Sequence, residues 1–152
     1  MKQRSDVTST LDREIISTRV VDAPRELVWK AWTDPKHVAE WWGPNGFTST
    51  IHEMDVRPGG VWWFILHGPD GVDYKNKIVF VEVAKPERIV FDHVSGPKFQ
   101  VTATFAEQTG KTRITFRMLF ETAAECDKVK KYAVEANEQN FDRLEAQLGK
   151  MA

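Results

Sequence analysis

The chain has 152 residues, a formal net charge of −1 at pH 7, and 41% apolar against 28% charged residues. That length fits one domain, which buries about 70% of its unfolded surface with no need of a disulfide or metal staple. Basic residues are spread along the chain, which argues against a nucleic-acid binder, whose signature is a basic patch.

Cys126 is the single cysteine, so no intramolecular disulfide can form, and a reducing cytoplasm fits. There is no signal-peptide-like apolar stretch at the start and no apolar run of about 18 residues. The expectation is a cytoplasmic protein without membrane insertion. Six Trp and nine Phe suit either a dense core or an aromatic-walled pocket, and composition alone favours the core.

Met1 to Asp12 is polar and patternless and is expected to be a flexible tail, with a single domain over residues 13–150. Glu14 to Val21 is rich in β-branched residues and predicts a strand. Asp22-Ala23-Pro24 predicts a helix start, with Asp22 as N-cap. Leu27, Val28, Ala31 and Trp32 then recur at helical spacing. Asp34-Pro35 restarts a second short helix whose Val38, Trp41 and Trp42 share a face, and Gly43-Pro44 ends it.

From Phe47 to Phe120 the chain reads as six consecutive strands: Phe47 to Val56, Val61 to His67, Tyr74 to Val83, Arg88 to Val94, Phe99 to Phe105 and Thr112 to Phe120. Turn residues separate them. Arg57-Pro58-Gly59-Gly60, for example, has Pro and Gly where a type II turn requires them. Short connections make neighbours antiparallel. With the N-terminal strand the sheet has seven strands. The class is therefore α+β: a curved antiparallel sheet whose concave face is covered by the last helix.

Alternation identifies the inner face. Phe99, Val101, Ala103 and Phe105 share one side of their strand, as do Ile114, Phe116, Met118 and Phe120. Phe91 carries His93 inward with it, and Tyr74, Asn76, Ile78 and Phe80 form a further set. In Val61 to His67 both sets are apolar, so periodicity does not separate Trp62, Phe64 and Leu66 from Val61, Trp63 and Ile65; Trp62 and Phe64 are carried forward as candidates.

The last helix opens with Thr122-Ala123-Ala124-Glu125, a capping-box pattern. It runs free of Gly and Pro to Leu148, a rod of roughly 40 Å. One side carries Lys128, Lys131, Glu135, Glu138, Asp142 and Glu145. The other is uneven. Its first half holds Cys126, Ala133, Ala136, Asn137 and Asn140, flanked by Tyr132; its second half holds Phe141, Leu144 and Leu148. A dense core needs large apolar residues throughout, so something else is expected beside the first half.

Several motifs resemble the START-like (SRPBCC) superfamily, and within it the branch named for the activator of heat-shock protein 90 ATPase. They are Val21-Asp22-Ala23-Pro24, Val28-Trp29-Lys30-Ala31-Trp32-Thr33-Asp34-Pro35, Trp41-Trp42-Gly43-Pro44, Asp55-Val56-Arg57-Pro58-Gly59-Gly60, Gly68-Pro69-Asp70-Gly71, Pro86-Glu87-Arg88-Ile89-Val90-Phe91 and Glu138-Gln139-Asn140-Phe141-Asp142-Arg143-Leu144. They span nearly the whole chain from Arg13 to Leu148. The resemblance implies a helix-grip fold, with a seven-stranded sheet around the long helix and two short helices after the first strand. It also implies a cavity between sheet and helix that takes lipids, sterols, polyketides or other apolar ligands. Relatives often carry Gly-Trp where this chain has Ala136-Asn137.

The expected ligand is thus small and hydrophobic or aromatic. The candidate wall comprises Trp42, Trp62, Phe64, Tyr74, Asn76 and Ile78, then Phe91, His93, Phe99, Val101, Phe116 and Met118, and from the helix Tyr132, Ala133, Ala136, Asn137 and Asn140. No cofactor is expected. The four histidines lack H-x-x-x-H spacing, so no metal site is expected either. The alternative is a cyclase, dehydratase or hydrolase using His93 as acid–base group. A co-chaperone role is a third reading, but the full-length activators of the family carry an extra N-terminal chaperone-binding domain for which this chain has no room, so a chaperone partner is not expected. Exposed edge strands permit a homodimer without requiring one. Asn137 and Asn140 are expected to bond to Tyr74, Asn76 or His93, or else to face the cavity. Arg57 and Arg117 are expected to pair with Asp55 or Glu53, and Cys126 to be an inert buried thiol.

Overall fold

The computed structural model describes residues 10–152. Most of the tail expected over residues 1–12 lies outside the described residues. From Leu11 to Arg13 the chain forms a 3-10 turn. Its anchor is Arg13, whose Nη1 donates to Phe120 O at 2.7 Å and whose own carbonyl accepts from the Phe120 N–H at 2.9 Å.

Strands β1 (Glu14–Val21), β2 (Thr48–Met54), β3 (Val61–His67), β4 (Asp73–Ala84), β5 (Arg88–His93), β6 (Phe99–Gln108) and β7 (Lys111–Leu119) form one antiparallel sheet in the order β1-β7-β6-β5-β4-β3-β2. The expected meander is present, and β1 closes its far edge on β7, from Glu14 opposite Leu119 to Val21 opposite Thr112. Turn chemistry sets the connections. Gly59, at φ +83°, takes the third position of a type II turn closed by the Gly60 N–H donating to Arg57 O at 2.8 Å. Thr109 and Gly110 both have positive φ and link β6 to β7 as a two-residue hairpin. Irregularities at Ile51/Glu53 and Phe80/Glu82 add the local twist that curls a sheet.

Two short helices follow β1: α1 (Arg25–Thr33) and α2 (Pro35–Trp41). Asp22 does not cap α1. Pro24 is its N-cap in extended conformation, so the helix begins one residue after the proline. Asp34 does cap α2, accepting from the Lys36 N–H at 3.0 Å, with Pro35 in the first turn. Trp41 anchors the pair, because its indole N–H donates to Ala31 O at 2.9 Å in the buried core.

The long helix α3 spans Ala123–Met151. Thr122 caps it by accepting from the Glu125 N–H at 3.1 Å. It continues past Gly149, three residues beyond the expected end. A lone glycine near a helix end costs only about 1 kcal/mol against alanine, and the Ala152 N–H still bonds to Leu148 O. Cys126 is fully buried, and burial pushes its thiol pKa up. Arg117 pairs with Glu14 at 2.6 Å rather than with Glu53, since β7 lies beside β1 and far from β2. Arg57 pairs with Asp55 at 2.7 Å as expected.

The core lies between the concave face and the helices. Ile89, Phe91, Val101, Ala103, Phe105, Ile114, Phe116 and Met118 are all buried there, matching the alternation in β5, β6 and β7. In β3 the ambiguity resolves toward Trp62 and Phe64, while Val61, Trp63 and Ile65 lie half-exposed on the outer face. No helix among the described residues is long and apolar enough to cross a membrane.

Candidate functional site

The two halves of α3 meet different surroundings. Phe141, Leu144 and Leu148 are buried in the core cluster. From Val129 to Asn140 the helix borders a cavity of about 720 Å³ between it and the sheet, open at one end. The helix contributes Val129, Tyr132, Ala133, Ala136, Asn137 and Asn140 to the wall. Small side chains on this stretch leave the space, because no bulky residue reaches across to the strands.

The sheet lines the rest. Phe64 comes from β3; Tyr74, Asn76 and Ile78 from β4; Phe91 and His93 from β5; Phe99 and Val101 from β6; Phe116 and Met118 from β7. Trp42, just past α2, completes the aromatic lining. All of these belong to the expected wall. Trp62 does not. It is buried behind the wall, with the Trp42 ring 4.9 Å away edge-on and the Phe64 ring stacked at 4.7 Å. Correct parity placed Trp62 on the concave face, but the rings of Trp42, Phe64 and Phe91 cover it there.

Some wall residues escaped the sequence reading. Leu66 shares the parity of Phe64, and Val129 precedes Ala133 by one helical turn, so both were accessible to periodicity. Phe47, Pro44 and Pro97 lie in loops, where no repeat signals direction. The mouth is marked by exposed Tyr74 and Tyr132, with Asp73, Lys75 and Pro97 also exposed at the rim.

The polar groups on the wall are mostly committed. His93 Nδ1 lies 2.8 Å from Pro97 O and Nε2 lies 2.7 Å from Asn76 Oδ1; both are acceptors, so the neutral ring donates to one of them at a time. The His93 ring stacks on Phe99 at 4.6 Å, and burial lowers its pKa. Neither hydrogen-bond partner is titratable, so the acid–base pair that the enzyme alternative needs is not formed around His93. Asn140 Oδ1 accepts from the Gly43 N–H at 3.0 Å. Asn137 Nδ2 donates to Ser17 Oγ at 3.2 Å and approaches Met118 Sδ at 3.5 Å. The two asparagines therefore do not bond to Tyr74, Asn76 or His93, which sit nearer the mouth.

The rim is clamped from the helix. Arg143 Nη1 donates to Gly43 O at 2.7 Å and Pro44 O at 3.0 Å, and Gln139 Oε1 accepts from the Asn45 N–H at 3.0 Å. Burial lowers the Arg143 pKa. The remaining histidines lie away from the cavity wall: His37 against Gln147, His52 stacked on Trp63, and His67 between Thr50 and Asp73. Among the described residues no three His, Cys, Asp or Glu side chains converge as a metal site would require.

A family model described as "Activator of Hsp90 ATPase homolog 1-like protein" matches residues 22–149. The chain belongs to this family, within the START-like (SRPBCC) superfamily. Among solved structures, a protein from Nitrosomonas europaea is 19% identical, with a TM-score of 0.85 over 93% of this chain and 97% of its own. One from Arthrobacter aurescens is 21% identical, with a TM-score of 0.86 over 94% and 90%. A family protein from Silicibacter pomeroyi is 18% identical, with a TM-score of 0.77 over 91% and 99%. At these identities the likeness speaks to the helix-grip fold alone. No curated protein matches the sequence significantly.

Proposed function

We propose that this family member binds one small, largely apolar molecule in the cavity between the sheet and α3. The observation that carries the reading is a space of about 720 Å³ walled by Trp42, Phe64, Phe91, Phe99 and Phe116. Ligand pockets are typically about 300–1,000 Å³ and lined by apolar and aromatic side chains with few polar points. The charged wall residues, Asp73 and Lys75, are exposed at the mouth, while amides and one neutral imidazole supply the polarity further in. The preferred ligand is therefore an uncharged lipid, sterol or aromatic polyketide-like molecule, with any charge left at the mouth.

Thermal-shift measurement against such a panel tests this. A ligand at about 100 times its Kd should stabilise the protein by about 2.7 kcal/mol, and Ala136→Trp should abolish the shift by filling the cavity. If no ligand in the panel raises the Tm, the reading loses its support. The chaperone-ATPase activity in the family's description comes to this chain only if heat-shock protein 90 associates with it in a direct binding assay.

A further inference from the structure

We propose that Trp32, Asn137 and Asn140 form a hydroxyl-recognising subsite where the cavity meets the short helices. The inference rests on the cavity reading above and adds the chemistry of the ligand's polar group. Its starting point is Trp32, only 5% exposed, whose indole N–H has no hydrogen-bond partner among the described residues. A buried indole N–H normally finds one. The ring is held in place by Trp41 at 4.9 Å and Phe105 at 5.3 Å, so it is not free to turn its N–H toward solvent.

The two asparagines each have one committed end. Asn137 turns its nitrogen to Ser17 and Met118, and its Oδ1 accepts nothing among the described residues. Asn140 turns its oxygen to the Gly43 N–H, and its Nδ2 donates to nothing among the described residues. The Gly43 N–H fixes the Asn140 amide, and the Met118 sulfur, which only accepts, favours Nδ2 on that side of Asn137. Trp32, Asn137 and Asn140 all border one small space of about 10 Å³, and that space shares Phe116, Asn137 and Asn140 with the large cavity. Such a volume suits a single oxygen atom.

The uncommitted set is two donors and one acceptor: Trp32 Nε1, Asn140 Nδ2 and Asn137 Oδ1. A hydroxyl is the complement, with one O–H to donate and two lone pairs to accept. A carbonyl would leave Asn137 Oδ1 unpaired. A carboxylate or ammonium would meet no opposite charge. A methyl would leave all three groups unsatisfied. The ligand class is therefore an apolar alcohol or phenol whose hydroxyl enters beside Phe116.

Fluorescence titration with 1-pyrenemethanol and 1-methylpyrene, read by energy transfer from Trp, tests this. The wild-type chain should bind the alcohol at least about tenfold more tightly, the ratio expected from one or two net hydrogen bonds. In Asn137→Leu the preference should fall to within about twofold, with 1-methylpyrene affinity retained. Trp32→Phe, which keeps a ring and removes the N–H, should do the same once circular dichroism shows it folded. Equal binding of both probes by the wild type overturns the subsite and leaves the cavity reading standing. So does a preference that survives both variants. If neither probe binds, the cavity reading and the subsite fall together.

Discussion

The first and second halves of α3 share one backbone and one amphipathic pattern, yet they do opposite things. From Val129 to Asn140 the inward side chains are small or amide-bearing and border about 720 Å³ of space. From Phe141 to Leu148 they are large and buried, and all but Gln147 are apolar. Native cores pack at crystal-like density, so the second half fixes where the helix lies on the sheet. The first half is then held over the cavity without having to fill it. Anchoring at one end allows emptiness at the other.

The largest expected effect breaks the anchored half. Leu144 is fully buried, and Leu144→Ala should cost about 2–5 kcal/mol in denaturant unfolding, the range for large-to-small core changes. A loss under about 1 kcal/mol would mean that this half is not the anchor. The next effect lies at the junction. Asn140→Ala leaves the Gly43 N–H without its 3.0 Å partner, which should cost about 1–3 kcal/mol. It should also speed amide exchange at Gly43 and Asn45 relative to the core strands. Unchanged exchange there would remove the clamp from the account.

A smaller effect sharpens the contrast from the other side. Putting a large side chain into a packed core typically costs about 1–3 kcal/mol. Ala136 borders the cavity, so Ala136→Trp should cost less than about 1 kcal/mol, or stabilise. The unequal cost of Leu144→Ala and Ala136→Trp is the thermodynamic signature of a helix with one filled and one open half. A heavy penalty at Ala136 would show that the space beside it does not accept an indole.

The small-then-large face of α3 was legible as residue types, because helical periodicity assigns sides without knowing partners. The strands were legible for the same reason, and turn residues such as Pro58-Gly59 and Thr109-Gly110 fixed their connections. Parity put Phe64, Phe91, Val101, Phe116 and Met118 on the concave face, where they line the cavity. Parity failed at Trp62, because alternation gives the face but not what covers it; only the position of Trp42 decides that Trp62 is sealed. The partners of Asn137 and Asn140 were not legible either. They lie at Ser17 and Gly43, 120 and 97 residues away in sequence, and no local pattern encodes such a pairing. The loop residues Pro44 and Pro97 carry no periodicity at all.

The smallest expected effect is one of pH, and it belongs to the open half. His93 is buried at the cavity wall, stacked on Phe99 and hydrogen-bonded to Pro97 O. Burial lowers its pKa from the ordinary value of 6.5. The unfolded chain therefore takes up a proton at this residue before the folded one does. Between 6.5 and the lower folded value the unfolded state binds more protons, so stability rises with pH. The contribution of neutral His93 is fully present above 6.5 and is lost as pH falls toward the folded pKa. Unfolding free energies measured from pH 7.5 down to 5 should show this decline in the wild type, and a shallower one in His93→Gln, which cannot titrate. Amide exchange adds where the loss falls. At pH 5.5 protection should weaken first at Val94 to Phe99, beside the mouth, and last around Leu144. Identical pH slopes for wild type and variant would show that His93 does not tie the mouth to the protonation state of the chain.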